Sequence, residues 1–110
     1  MITEINSKQE VLKILKTEAA ALVYFYNNNC APCISLRPKV EELISESFPK
    51  MKLAFVNSEK YMDITASYNV FSNPTLIIFF EGREYRRESK YISISQLSES
   101  IERPYNLIFE

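Results

Sequence analysis

The chain has 110 residues, 46% of them apolar and 25% charged, enough for one packed domain across residues 1–110. A net charge of −1 excludes an electrostatic nucleic-acid binder and a polybasic membrane anchor, and no stretch approaches the roughly 20 apolar residues that span a bilayer. Histidine is absent, which excludes Cys-His and Ser-His-Asp catalysis and removes the usual nitrogen ligand of a metal site.

Met1 to Glu10 shows no basic segment followed by an apolar run, so no secretory signal is visible and a cytoplasmic location is expected. Ile2 to Ile5 suits a short edge strand. Ser7 and Glu10 have the spacing of a capping box, and Val11, Leu12 and Leu15 follow at helical spacing; a helix over about 7–17 is predicted. Ala20 to Tyr26 is short and almost wholly apolar, which favours a buried strand. Asn27 to Asn29 turns the chain. From Cys30, Leu36, Val40, Leu43, Ile44 and Phe48 line one side of a long helix reaching about Ser47, with Pro38 inside it as a bend.

Met51 to Asn57 reads as a second buried strand, Glu59 to Tyr68 as a short helix and Thr75 to Phe80 as a third buried strand. Glu81-Gly82 turns into a polar edge strand from Arg83 to Lys90, antiparallel to its predecessor. The basic Arg83, Arg86, Arg87 and Lys90 suit a solvated edge that resists edge pairing. Ser93 caps a last helix predicted to stop at Arg103 before Pro104, and the apolar tail from Tyr105 is expected to pack against the body. Tyr61, Tyr68 and Phe71 read as core or loop-anchoring aromatics, Phe71 having the option of facing a partner. The order β-α-β-α-β-α-β-β-α makes an α/β domain, a central mixed sheet with helices on both faces.

The two cysteines stand three positions apart, in Asn29-Cys30-Ala31-Pro32-Cys33. Cys30 falls where a buried strand hands over to a helix. The first helical N–H groups have no partner within the helix, and the dipole there is positive, so a thiolate is favoured. Such sites bring a cysteine from about 8.5 to ~7 or lower. Cys33, one turn inside, is close enough to form a disulfide and more shielded. Cys30 is therefore the expected attacking thiolate and Cys33 the resolving thiol. Two alternatives stand beside this: half of a metal site completed by a second chain, and two inert buried cysteines.

These features resemble the thioredoxin family over roughly residues 5–103. An apolar strand leads into Cys30-Ala31-Pro32-Cys33, Pro38 follows at the family's helix-kinking position, Asn73-Pro74-Thr75 opens a strand, and Gly82 sits at the hairpin. The resemblance implies a thioredoxin-like fold and a thiol–disulfide oxidoreductase. It implies a cis Pro74 beside the cysteines and an Asn73 backbone that pairs with the substrate chain. Asn29, Ala31, Pro32, Asn73 and Pro74 would contact substrate, with Ser72 and Lys90 at the rim. Protein disulfides would be the substrates, and a reductase or another dithiol the electron donor. No cofactor beyond the dithiol, no metal and a monomeric state are expected.

The departures are specific. Asn29 replaces the family's Trp and Ala31 its Gly. Tyr24 stands at the buried Asp, Phe55 near its Lys, and the glycine before the last helix falls near Lys90. An ordinary phenol, with a pKa near 10, is a poor base at pH 7. A binding module with a slow redox pair is therefore the alternative function. Replacing a buried charged pair by apolar groups can also be merely stabilising.

Overall fold

A computed structural model describes residues 2–110. The strands are β1 (Ile2–Glu4), β2 (Ala20–Tyr26), β3 (Lys52–Asn57), β4 (Thr75–Phe80) and β5 (Arg83–Ser89). The helices are α1 (Lys8–Thr17), α2 (Ala31–Ser47), α3 (Met62–Ser67) and α4 (Ile94–Ile108). The strands form one sheet in the order β1-β3-β2-β4-β5. β1, β3 and β2 run parallel, while β4 lies antiparallel to both β2 and β5. The mixed sheet expected from the element order is the one observed.

Alternation along each central strand sorts the core into two halves. Leu22, Tyr24, Leu53, Phe55, Leu76 and Ile78 face one side, against Val40 and Ile44 of α2 and Leu97 and Ile101 of α4. Val23, Phe25, Ala54, Val56, Ile77 and Phe79 face the other, against Val11 and Ile14 of α1 and Ile64 of α3. Both faces of β2, β3 and β4 are thus covered, which is why these strands read as continuous apolar runs. β5, with one neighbour, keeps its charged side chains in solvent.

Two boundaries and one cap differ from the sequence expectation. Pro104 does not stop the last helix, which continues to Ile108. Proline forfeits one backbone donor, but Leu97, Ile101 and Tyr105 recur every four residues on the buried face. Tyr105 meets Phe48 with ring centroids 5.0 Å apart, and its hydroxyl accepts from Lys50 N at 2.9 Å. That packing holds the helix through the proline; in the tail Ile108 and Phe109 pack against the core, while Leu107 faces solvent, against expectation. α3 begins at Met62 rather than Glu59, because the Asn57 carboxamide oxygen accepts from Glu59 N and Lys60 N at 3.1 Å each. These bonds hold that stretch in a side-chain-closed turn. At α1, Ser7 is the cap and accepts from Glu10 N at 3.3 Å. Glu10 reaches back past it to Asn6 N at 3.0 Å, so the reciprocal half of the box falls one residue early.

The β4–β5 turn uses positive φ at both Glu81 (53°) and Gly82 (77°), the twist a two-residue hairpin favours. A Cβ at residue 82 would stand 2.8 Å from the Leu15 carbonyl oxygen. Gly82→Ala therefore meets both strain and a backbone clash. It is expected to lower the unfolding free energy by about 1–3 kcal/mol in urea denaturation. Tyr105→Ala, emptying the pocket against Phe48, should cost roughly 3 kcal/mol or more in the same measurement.

Candidate active site

β2 ends at Tyr26, and Asn27 Oδ1 accepts from Asn29 N at 3.0 Å, closing the turn that delivers Cys30 to the start of α2. Cys30 is the N-cap, in extended backbone (φ −101°, ψ 103°), and its sulfur accepts from Cys33 N at 3.2 Å. A cysteine sulfur thus stands where a Ser or Asp oxygen ordinarily caps a helix. Pro32 occupies the first turn, where its missing N–H costs nothing. Cys30 and Cys33 are joined in a disulfide, with Cα atoms 5.2 Å apart. Cys30 is half-buried; Cys33 is only 2% exposed.

The register Phe25↔Thr75 between β2 and β4 brings the start of β4 beside the end of β2. The Asn73–Pro74 peptide is cis, as the resemblance implied. The Asn73 carbonyl oxygen lies 3.5 Å from Cys30 Sγ, and the Asn73 side chain is turned inward, its Oδ1 accepting from Ser58 Oγ at 2.8 Å. Thr75 Oγ1 donates to Ser72 O at 2.7 Å and tightens the loop. Pro74 is buried; Asn29, Ala31 and Pro32 are exposed around Cys30. All seven residues singled out from the sequence therefore lie at one end of the sheet. Phe71 departs from its first reading: it is 89% exposed on the approach to Pro74 and is no core residue.

The thioredoxin family model matches residues 2–103. The chain belongs to the thioredoxin family. It is 32% identical to the thioredoxin of Mycoplasma genitalium over 87 residues, covering 79% of this chain and 84% of that one. It is 24% identical to the thioredoxin-like protein YdfQ of Bacillus subtilis over 106 residues, 96% and 94% of the two chains. In fold it is similar to a mutant thioredoxin from Halobacterium salinarum NRC-1, with TM-score 0.84, 23% identity, and 92% and 88% of the two chains covered. A thioredoxin-family chain with its two cysteines in one disulfide-forming pair is a thiol–disulfide oxidoreductase, the enzyme expected from the sequence. Among the described residues no three His, Cys, Asp or Glu side chains converge on a point that could hold a metal ion.

Around this dithiol the structure gives Tyr24 a definite partner and adds a second group that the sequence reading missed. The hydroxyl of Tyr24, fully buried, donates to the Cys33 carbonyl oxygen at 2.8 Å. Burial pushes the phenol well above its ordinary value, with Arg37 opposing weakly. At neutral pH Tyr24 is therefore a donor, not a base. Its ring packs on Phe55 with centroids 5.3 Å apart. The second group is Arg37, whose guanidinium carbon lies 3.7 Å from the centre of the Phe55 ring. Its spacing from Cys33, four residues along a helix, was the available signal.

Tyr24→Phe should fold, lose about 1 kcal/mol, and leave the neutral-pH rate profile without a missing base. The pH dependence has a definite sign. Folding favours the protonated phenol, so its contribution is whole below the ordinary value of 10.0 and is lost above it, as the unfolded chain ionises first. Alkaline destabilisation, followed by urea denaturation, is expected to be shallower in Tyr24→Phe than in the parent.

Proposed function

We propose that this chain reduces protein disulfides as a single domain spanning residues 1–110, with Cys30 attacking and Cys33 resolving. The unequal placement of the two sulfurs carries the assignment. Cys30 is half-open at a helix N-terminus, receiving an N–H from Cys33, while Cys33 is shut behind it. The exposed end of the helix presents the thiolate, and its unpaired N–H groups and positive dipole stabilise it.

In the proposed cycle the Cys30 thiolate attacks one sulfur of a substrate disulfide. The substrate S–S bond breaks, a Cys30–substrate disulfide forms, and the other substrate sulfur leaves as a thiolate that takes a proton from solvent. Cys33 then loses its proton to water and attacks Cys30 Sγ. The Cys30–Cys33 disulfide forms, and the second substrate sulfur is released. Two electrons pass from the dithiol to the substrate, so the dithiol itself carries them. A separate reductase or a second dithiol returns the pair to the reduced state. Asn29, Ala31 and Pro32 line one side of the substrate path, and Asn73 and Pro74 the other. The Asn73 carbonyl, 3.5 Å from Cys30 Sγ, is aimed to pair with the backbone of a bound chain. We place the protein in the cytoplasm as a monomer; no described helix is long and apolar enough to cross a membrane.

Cys30→Ser is expected to abolish reduction of insulin disulfides. Cys33→Ser should instead accumulate mixed disulfides on Cys30, visible as reductant-sensitive adducts on non-reducing gels. Full insulin turnover by Cys30→Ser would overturn the attacking role. A parent protein that binds partners but shows no turnover with any reductant would leave the binding-module reading in its place.

A further inference from the structure

Cys33 must lose a proton before it can attack Cys30, yet no side chain among the described residues hydrogen-bonds its sulfur, and Tyr24 stays protonated beside its carbonyl. Cys33 does reach one cavity of about 270 Å³, lined also by Tyr26, Asn28, Ile34, Arg37 and Glu41. The charged groups of that lining are Arg37 and Glu41. Arg37 is four residues after Cys33 on α2, one turn away on the same helix face.

The guanidinium is pinned from four elements. Its Nη2 donates to Glu4 Oε1 of β1 at 3.1 Å, and its Nε to Glu41 Oε1 of α2 at 3.1 Å. Its flat face covers the Phe55 ring of β3, and the Tyr26 ring of β2 lies 5.1 Å from its carbon. Tyr26 in turn donates its hydroxyl to Glu4 Oε2 at 2.6 Å. A long side chain held this way is a fixed charge, not a mobile surface one.

We propose that Arg37 is a positioning residue for the second half of the reaction: its fixed positive charge, at the wall of the cavity that Cys33 shares, stabilises the Cys33 thiolate as it forms. The proton passes to water in that cavity, and the thiolate electron pair attacks Cys30 Sγ as in the cycle above. This rests on the resolving role assigned to Cys33.

The two carboxylates do not cancel the effect, because solvent screens them better. Arg37 is attached to α2 about one turn from Cys33 and Glu41 about two turns away. Glu4 and Glu41 are also more open to solvent than Arg37, with side-chain exposures of 45% and 36% against 31%, so their fields are better screened. The buried Tyr24 hydroxyl, bonded to the Cys33 carbonyl, already registers Arg37 as a positive neighbour.

The test measures Cys33 alone. In the full-length Cys30→Ser protein, the pH dependence of iodoacetamide alkylation reads the Cys33 pKa without any turnover. Arg37→Gln is expected to raise it by about half a unit or more. Arg37→Lys, which keeps the positive charge, is expected to hold it closer to the parent value. Both variants lose the stacked guanidinium and its paired hydrogen bonds, so a merely structural role would move them alike, and that result would overturn the proposal. An unmoved pKa in Arg37→Gln would overturn it as well. If Arg37→Gln does not fold, Arg37→Met takes its place: a raised value supports the proposal and an unchanged or lowered one ends it. Failure of the Cys33→Ser trap would strike the resolving role instead, and the alkylation profile would be unaffected.

Discussion

The bond from Cys33 N–H to Cys30 Sγ, 3.2 Å long, ties the fold to the chemistry. It caps α2, and α2 supplies half of the buried face above β2 and β3 through Val40 and Ile44. It also sets the sulfur among the unpaired donors at a helix N-terminus, where negative charge is favoured. The same geometry therefore completes a helix and lowers the cost of a thiolate. Cys33 cannot share that position. One turn in, it has become part of the core, and any charge on it must be stabilised from the side. The two cysteines differ in exposure because they sit one helical turn apart.

The sheet then supplies the opposite wall. β4 runs antiparallel to β2 with Phe25 facing Thr75, so the end of one strand and the start of the other share an edge of the molecule. Asn73 comes to within 3.5 Å of Cys30 across a sequence separation of 43 residues. Its side chain is tied down to Ser58, leaving the backbone carbonyl turned toward the sulfur. Exposed Phe71 and Ile34 stand at this same end, together with the polar Asn29, Ser72 and Asn73. That mixture separates this thioredoxin-family member from a flat apolar docking face.

Beneath the dithiol the family's buried charged pair has given way to two aromatic rings. Tyr24 and Phe55 pack with their ring planes tilted by 57° and centroids 5.3 Å apart. The charge has not vanished from the neighbourhood. It has moved to α2, where Arg37 lies over the Phe55 ring and takes its carboxylate partners from the half-exposed Glu4 and Glu41. An ion pair at the rim avoids most of the desolvation penalty of a buried one. It also leaves the core apolar.

The central strands and the long helix were legible because their signals are local. Ala20–Tyr26 and Thr75–Phe80 carry their own boundaries in apolar runs that end at Asn-rich and Glu-Gly turns. The placement of Cys30 at a strand-to-helix junction needed nothing more. The end of α4 was not legible, because a proline's local cost was outweighed by Tyr105 meeting Phe48, a residue 57 positions earlier. α3 was misplaced by side-chain bonds from Asn57, which compete with the helix at short range. Arg37 was passed over because its partners come from three strands besides its own helix. By itself, then, the sequence determined the elements, the dithiol and the difference between its two sulfurs, all set within a few residues of chain. Only the tertiary structure decided what stands opposite and beneath them, because side chains distant in sequence meet there through strand register and packing.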